Sequence, residues 1–352
     1  MEIGIISFTQ AGKNMAGQIC SALSKKGHVC SAAAWQKGDS LSQWTAACWK
    51  EKKALIFVGA AGIAVRSVAP YLKDKFTDPA VLAADEKGQF VIPLVSGHAG
   101  GANELALTLA EAIGAVPVIT TATDVNHLFA VDVFAREKGL YLSDRRLAKE
   151  VSAGLLAGEK IGWRSDWGDF PVPEGFEKVP AEALKEPGKN SLPERLKVWV
   201  TVSSKEPENC LKLIPKAVVV GIGCRKGTDG QMLSRAVEQM LDQHSISRHA
   251  VAGVATIDIK KEEPAIAELV KARDWKLFSY TAQELAQADG EFSESEFVKK
   301  TVGVGNVCER AVVCSGAKLL AEKTVFAGIT VALGVREKNR KELKRGCCKV
   351  DE

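Results

Sequence analysis

The chain has 352 residues, which at roughly 150 residues per domain predicts two or three domains. Its composition, 46% hydrophobic and 26% charged, is that of a globular protein and excludes wholesale disorder. The formal net charge is only +4 and no basic cluster precedes residue 336, so the sequence argues against nucleic-acid binding through phosphate contacts.

The N-terminal sequence MEIGIISFTQ has no basic region and leads directly into an apolar run, which argues against a signal peptide. The longest uncharged apolar stretches, 54–65 and 324–335, are too short to cross a hydrocarbon layer of about 30 Å. The nine cysteines have no CxxC spacing and the five histidines no HxxxH spacing. We therefore expect a soluble, cytoplasmic protein with no membrane segment and no metal ion of its own.

Residues 1–134 alternate continuously apolar runs with helical patterns. The apolar runs are IGIISF, HVCSAA, ALIFVG, FVIPLV and VPVIT. Such alternation predicts parallel strands joined by crossover helices, with both faces of the sheet covered. In a sheet of this kind, ligands bind at the carboxyl ends of the strands.

Residues 135–215 contain seven of the twelve prolines, a density that prevents long helices and central strands. We predict a small α+β middle domain with a helix at 144–157 and strands at 160–164 and 196–203.

Residues 216–336 return to the αβ pattern. Strands are predicted at AVVVGIGC, HAVAGVATIDI, LFSY and VFAGITVAL, and helices at 228–243, 264–273 and 307–321. A charged tail follows at 337–352. The predicted fold class is therefore α/β, with two three-layer αβ domains of mainly parallel open sheets joined by a smaller Pro-rich α+β middle domain.

The segment VSGHAGGANELA, residues 95–106, places a histidine between a strand end and a helix start. Unpaired N–H groups at a helix start attract anions, and imidazole titrates near neutrality, so His98 could act as a general base. The alternative is a loop histidine beside glycines that serve only tight packing. We take His98 and Glu104 as candidate catalytic residues, and the candidate binding residues here are Ser96, Gly97, Gly100, Gly101 and Asn103.

A similar strand, glycine turn and helix occur in VGAAGIAVRS, which places Arg66 about one turn into a helix. Arginine binds carboxylates in a bidentate manner, so Arg66 is a candidate binding residue; the alternative is a surface arginine. We expect the loops of Arg66 and His98 to share one edge of the first sheet.

The segment GIGCRKGTDG also joins a strand to a helix, and GVGNVCERAV repeats the pattern. The glycine spacing is one residue longer than the dinucleotide fingerprint and no Walker lysine follows, which disfavours NAD and ATP. An anion-binding loop fits better. The candidate binding residues are Gly223, Arg225, Lys226, Gly227, Gly303 and Gly305.

Several of these segments together resemble the CbiG-type family of cobalt-precorrin 5A hydrolases of anaerobic cobalamin synthesis. The resemblance is carried by GIAVRSVAPYLKDKFTDPAVLAADEKGQFVIPLVSGHAGGANELA, VVVGIGCRKGT, GVGNVCERA and TVFAGITVALGV. It spans about residues 1–336 and all three predicted domains. The tail after Arg336 has no family counterpart.

The resemblance implies that the chain opens the δ-lactone on ring A of cobalt-precorrin 5A and releases acetaldehyde. Cobalt then arrives inside the corrinoid substrate, no separate cofactor is needed, and other enzymes of the corrin pathway are possible partners. We hypothesise that His98 takes a proton from water, while N–H groups of Gly100 and Gly101 with Arg66 hold the oxyanion or a neighbouring carboxylate. The alternative is a non-catalytic corrinoid-binding carrier of the same pathway.

Overall fold

The computed structural model describes residues 1–74, 77–98, 100–180 and 195–336. The chain divides into two compact units, the first formed by residues 1–137 and 155–158 and the second by 138–154 and the chain from 159 onward. The tail predicted at 337–352 lies outside the described residues. Within the described residues, no helix is long and apolar enough to span a membrane.

The first unit contains a six-stranded sheet in the order β2-β1-β3-β4-β5-β6. Its strands are β1 (Glu2–Ser7), β2 (Val29–Ala34), β3 (Ala54–Val58), β4 (Ala80–Ala84), β5 (Phe90–Val95) and β6 (Val116–Pro117). The helices are α1 (Gln10–Lys25), α2 (Leu41–Glu51), α3 (Ala61–Val68), α4 (Ala102–Ile113), α5 (Ala122–Val125) and α6 (Val131–Glu137).

The helices α1 and α4 cover one face of this sheet, and α2 and α3 cover the other. Ile19 and Leu109 pack with Ile5 on the first face, whereas Val68 packs with Phe57 on the second. Each such side chain gains about 1.5–3 kcal/mol when it is removed from water, which explains why continuously apolar strands end up between two helical layers. The predicted three-layer arrangement is confirmed for this sheet.

The direction of β5 differs from that of the four strands before it. β1, β2, β3 and β4 are parallel, but β4 and β5 form an antiparallel hairpin. The Asp85 carboxylate closes the turn by accepting hydrogen bonds from the backbone N–H groups of Lys87 and Phe90. β5 therefore ends at the edge where β1 to β4 begin. The expectation that the glycine turns before Arg66 and around His98 share an edge is wrong, because β3 and β5 run in opposite directions.

The middle sheet has the order β7-β11-β10-β8-β9, in which only β7 is antiparallel to its neighbour. Its elements are β7 (Leu140–Leu142), α7 (Arg145–Leu156), β8 (Ile161–Ser165), β9 (Phe176–Lys178), β10 (Lys197–Val200) and β11 (Cys210–Pro215). The predicted helix and the two predicted strands of this region are confirmed.

The third sheet has the order β14-β13-β12-β16-β15. Its strands are β12 (Val218–Gly223), β13 (Val251–Ile257), β14 (Lys276–Tyr280), β15 (Lys318–Phe326) and β16 (Ile329–Val335). The helices are α8 (Gly230–Gln243), α9 (Pro264–Arg273), α10 (Ala282–Ala286), α11 (Glu296–Val302) and α12 (Cys308–Cys314). β12, β13 and β14 are parallel, and β16 is antiparallel to both of its neighbours.

The helix predicted at 307–321 is wrong in its second half. α12 ends at Cys314, and Gly316 follows with φ 79°, a conformation that terminates helices. The chain then forms the β15–β16 hairpin, whose turn places Ala327 and Gly328 at φ 48° and 86°. Two successive positive φ values suit a tight hairpin turn, and this accounts for a second strand in place of the helix.

Candidate active site

Ser96 begins the loop that joins β5 to α4. It has φ 58°, and its buried hydroxyl donates a hydrogen bond to the backbone carbonyl of Asp78, just before β4, at 3.0 Å. This contact anchors the loop to the edge of the sheet where β4 begins. The hydroxyl hydrogen of Ser96 therefore has a structural use, and its binding role stays a prediction.

The glycines of the loop allow close packing. A methyl group on Gly97 would lie 2.8 Å from Oδ1 of Asn103, and one on Gly100 would overlap the side chain of Ser96. Gly101 has φ 82°, and a methyl group there would overlap the guanidinium of Arg136. The tight-packing alternative considered for these glycines thus has direct geometric support.

The N–H groups at the start of α4 are hydrogen-bonded within the loop itself. Gly101 N–H donates to the carbonyl of His98 at 3.1 Å, Ala102 N–H to that of Ser96 at 3.1 Å, and Asn103 N–H to that of Gly97 at 3.0 Å. Gly101 N–H would have to leave the His98 carbonyl before it could hold a developing oxyanion, and that role for Gly100 and Gly101 stays a prediction.

His98 lies between two aspartates. Its Nε2 atom is 2.7 Å from Oδ2 of Asp124 and 3.2 Å from Oγ1 of Thr123, and its Nδ1 atom is 3.7 Å from Oδ1 of Asp132. The side chains of His98 and Asp132 are only 14% and 11% exposed, whereas that of Asp124 is 35% exposed. Asp124 is therefore the member of this cluster that is most accessible from solvent.

The two carboxylates change the acid-base behaviour of the imidazole. The neighbouring Asp132 contributes most to raising the pKa of His98 above its ordinary value; burial opposes this and Asp124 adds to it. Opposite charges favour the charged form of a titratable group. His98 consequently keeps its proton to higher pH than a free histidine does.

Asn103 holds Asp124 in place. Its buried side-chain amide donates to Oδ2 of Asp124 at 2.5 Å and to Oγ1 of Thr121 at 3.0 Å. The sequence predicted Asn103 as a binding residue, but its amide is directed at Asp124 and positions that carboxylate.

Glu104 and Arg66 lie outside the set of residues that contact His98. Glu104 is 65% exposed and accepts a hydrogen bond at 2.7 Å from Arg136, whose guanidinium lies against Gly101. Arg66 is exposed in the last turn of α3. Arg136 thus lies against the His98 loop, and the ion pair that it forms with Glu104 lies at the solvent surface.

Four residues of the site were not found by sequence reasoning: Thr123, Asp124, Asp132 and Arg136. The available signal was the polar stretch TTATD, which directly follows the apolar run VPVI. A strand end followed by threonines and an aspartate is typical of a helix start, and polar groups at that point belong to a sheet edge.

In the second unit, the two glycine loops at the end of β12 and before α12 each contact a carboxylate of the chain itself. Gly227 N–H donates to Oε1 of Glu263 at 2.7 Å, and Lys260 pairs with the same carboxylate at 2.9 Å. Lys260 contributes most to holding the pKa of Glu263 below its ordinary value, and the Gly227 N–H adds to this.

Gly305 faces the second carboxylate, because a methyl group there would overlap Glu294, which pairs with Arg310 at 2.9 Å. Gly303, with φ 83°, follows the last residue of α11. Gly223 lies at the carboxyl end of β12, where a methyl group would lie 3.9 Å from Cβ of Val307 at the start of α12. The two loops are therefore neighbours, and Arg225 and Lys226 lie exposed between β12 and α8.

The fold and the site define a protein of the α/β class with a histidine held between two aspartates at the edge of its first sheet. Family profiles match it in three consecutive regions: "Cobalamin synthesis G N-terminal" at residues 43–124, "Cobalamin biosynthesis central region" at 129–215 and "Cobalamin synthesis G C-terminus" at 218–334. The chain therefore belongs to the cobalamin synthesis G family, and the resemblance found in its sequence is confirmed.

Two curated relatives carry the name cobalt-precorrin-5A hydrolase. The protein of Salmonella typhimurium is 40% identical over 297 residues, which cover 80% of this chain and 82% of the relative. The protein of Priestia megaterium is 34% identical over 296 residues, covering 80% and 78%. Among solved structures, a cobalamin biosynthesis protein G homologue from Sulfolobus solfataricus matches 96% of this chain and 97% of its own, with 22% identity and a TM-score of 0.42.

Proposed function

We propose that this protein is a cobalt-precorrin-5A hydrolase of cobalamin biosynthesis. The observation that carries the proposal is the 40% identity, over four fifths of both chains, to a relative of that name. The matched family regions also extend over parts of all three sheets, so the likeness is not confined to one domain.

In the proposed reaction, the oxygen of a water molecule bonds to the carbonyl carbon of the ring A δ-lactone, and the ring C–O bond breaks. The released alkoxide oxygen then becomes an aldehyde carbonyl as the bond between its carbon and the macrocycle breaks. Acetaldehyde leaves, and the electron pair stays on the macrocycle. Cobalt is part of the substrate, and we propose that the protein needs no cofactor of its own and works in the cytoplasm.

We propose that the reaction centre lies at the His98 loop. The support is that His98, Asp124 and Asp132 form a partly buried group that can hold and move a proton, which lactone hydrolysis requires. Arg136 beside this loop suits a carboxylate side chain of the macrocycle. In the second unit, Arg225, Lys226 and the glycine loops remain candidate binding residues.

The experiment is anaerobic incubation of the protein with cobalt-precorrin-5A, with acetaldehyde measured against time. A hydrolase produces acetaldehyde in proportion to turnover, whereas a carrier changes the absorption spectrum of the corrinoid by binding and produces none. His98→Gln tests the site, and His244→Gln, which removes an exposed histidine in the second unit, is the matched control. Loss of acetaldehyde in both variants to the same degree would contradict a reaction centre at His98.

A further inference from the structure

We infer that His98 is held as an imidazolium cation between Asp124 and Asp132, and that the Asp124 carboxylate, not the His98 ring, accepts the proton of the attacking water. This inference rests on the proposed function, because it assigns roles within the same site. It makes Asp124 the general base and His98 a positioning residue that acts through Asp124.

The two ring nitrogens of His98 both face carboxylate oxygens. Nε2 lies 2.7 Å from Asp124 and Nδ1 lies 3.7 Å from Asp132. A neutral imidazole has one N–H group and one lone pair, so in the neutral ring a lone pair would point at an ionised carboxylate. The cation presents an N–H group to each aspartate, and this geometry therefore favours the cation.

In the cation, both ring nitrogens of His98 carry a proton, so neither can receive one from a water molecule. The ring would have to lose a proton before it could act as a base, and the carboxylates beside its two nitrogens oppose that loss. Arg136 also lies against this loop, and its charge is balanced by Glu104 at 2.7 Å.

Asp124 has the properties that His98 lacks. It is 35% exposed, more than twice as much as His98. The hydrogen bonds that it accepts from Asn103 and His98 both end on Oδ2. Among the described residues, no hydrogen bond reaches its Oδ1 atom. The carboxylate is thus oriented through one oxygen while the other is left for a ligand or water molecule.

In the proposed step, a water molecule gives a proton to Oδ1 of Asp124 while its oxygen bonds to the lactone carbonyl carbon. The ring C–O bond breaks, and the alkoxide collapses to acetaldehyde with its former bonding pair left on the macrocycle. The proton then leaves Asp124 for solvent, which restores the carboxylate beside the His98 cation.

Acetaldehyde assays of matched variants test these roles. Asp124→Asn keeps the shape of the side chain but removes the proton acceptor, so kcat should fall about 10²-fold or more. His98→Gln keeps an N–H donor toward Asp124, so kcat should fall by no more than about tenfold. A His98→Gln variant as inactive as Asp124→Asn would overturn the assignment. Melting temperatures of both variants establish that the chains are folded.

The direction in which kcat changes with pH distinguishes a positioning role of His98 from a role as general base. If the His98 cation supports Asp124, kcat falls as pH rises and His98 loses its proton. If His98 is itself the base, kcat rises over the same interval, because only the deprotonated ring accepts a proton. A rise of kcat with the titration of His98 would contradict the inference.

A substrate-free measurement keeps this inference separable from the proposed function. Nitrogen chemical shifts of the His98 ring, assigned by comparison with His98→Gln, should show both nitrogens protonated at neutral pH. Asp132→Asn should move the titration midpoint of His98 to lower pH, because one of the two carboxylates is lost. A neutral His98 ring at neutral pH would defeat the inference alone, whereas a wild-type protein that forms no acetaldehyde would defeat the proposed function.

Discussion

Asp132 lies 3.7 Å from Nδ1 of His98, at the ring nitrogen that does not contact Asp124. In the folded protein the pKa of His98 is raised, so its charged pairing contributes stability that is fully present below the unfolded value of about 6.5 and is lost as pH rises through the folded value. Asp132→Asn should therefore destabilise the protein by about 1 kcal/mol near pH 6 and by less above pH 8 or so.

The measurement is the free energy of unfolding of both proteins in urea at each pH. The control is Asp39→Asn in the surface turn between β2 and α2. The Asp39 carboxylate accepts a hydrogen bond from the backbone N–H of Gln36 and has no hydrogen bond to a histidine among the described residues. A destabilisation by Asp132→Asn that grows as pH rises would show that the sign is wrong.

Gly100→Ala should destabilise the first unit, because the added methyl group would overlap the side chain of Ser96. It would also lie only 2.9 Å from the backbone carbonyl oxygen of Ser96. Overpacking of this kind costs about 1–3 kcal/mol. Gly17→Ala is the matched control: Gly17 is exposed within α1 with open space around it, and alanine there should stabilise the helix by about 0.5–1 kcal/mol. Equal free energies of unfolding for the two variants would contradict the close packing of the loop.

Arg136→Gln should raise the KM for cobalt-precorrin-5A about tenfold with little change in kcat, because it removes a charge-assisted contact and not the proton acceptor. Arg66→Gln should have a smaller effect, since Arg66 is exposed on α3 and takes no part in the contacts of His98. Each of the two changes removes one positive charge, so a difference between their KM values must come from the position of the arginine and not from the net charge.

Glu104→Gln tests the role that the sequence assigned to Glu104. Its carboxylate pairs with Arg136 at the surface, so kcat should stay within about twofold of the wild-type value. The measurement is the steady-state rate of acetaldehyde release by Glu104→Gln and by the wild-type protein at saturating substrate. A loss of kcat of about 10²-fold would return Glu104 to a catalytic role.

The sequence predicted the strands of the first sheet well, because each is a continuous apolar run, but not the direction of β5. An apolar run such as FVIPLV buries both faces whichever way it runs, so its direction depends on the connection. The turn at Asp85 reverses the strand, because the Asp85 carboxylate closes a short hairpin between β4 and β5. The general rule for parallel sheets does not take such a local turn into account.

The same distinction applies to the site. The glycine-rich loop around His98 was found because its pattern is local. Asp124 is 26 residues further along the chain, and nothing in the sequence near His98 indicates that the two side chains meet. Only the fold brings them together. The sequence therefore predicts His98 as a base, whereas the structure places it between two carboxylates.

Glu263→Gln should destabilise the second unit by about 1–2 kcal/mol at neutral pH, because it weakens the bonds to Gly227 N–H and Lys260. The pKa of Glu263 is lowered in the folded protein, so this stability is present above the unfolded value and is lost as pH falls through the folded value. The difference in free energy of unfolding between wild type and variant should therefore shrink in acid. A difference that stays constant down to about pH 3 would contradict a charged role for Glu263.

Replacement of both Arg225 and Lys226 by glutamine should raise the KM for the substrate and leave kcat unchanged. Both side chains are exposed in the loop between β12 and α8, where they offer positive charge for binding a carboxylate. Removal of two cations from a contact with carboxylates should also weaken the dependence of KM on ionic strength. The control is the double variant Lys160→Gln, Lys178→Gln, which changes the net charge equally. Lys160 is exposed just before β8, and Lys178 is exposed at the end of β9.

If both double variants alter KM and its salt dependence alike, the effect comes from net charge and the loop has no specific part in binding. If the loop variant binds the substrate normally but forms no acetaldehyde, the reaction centre lies in the second unit.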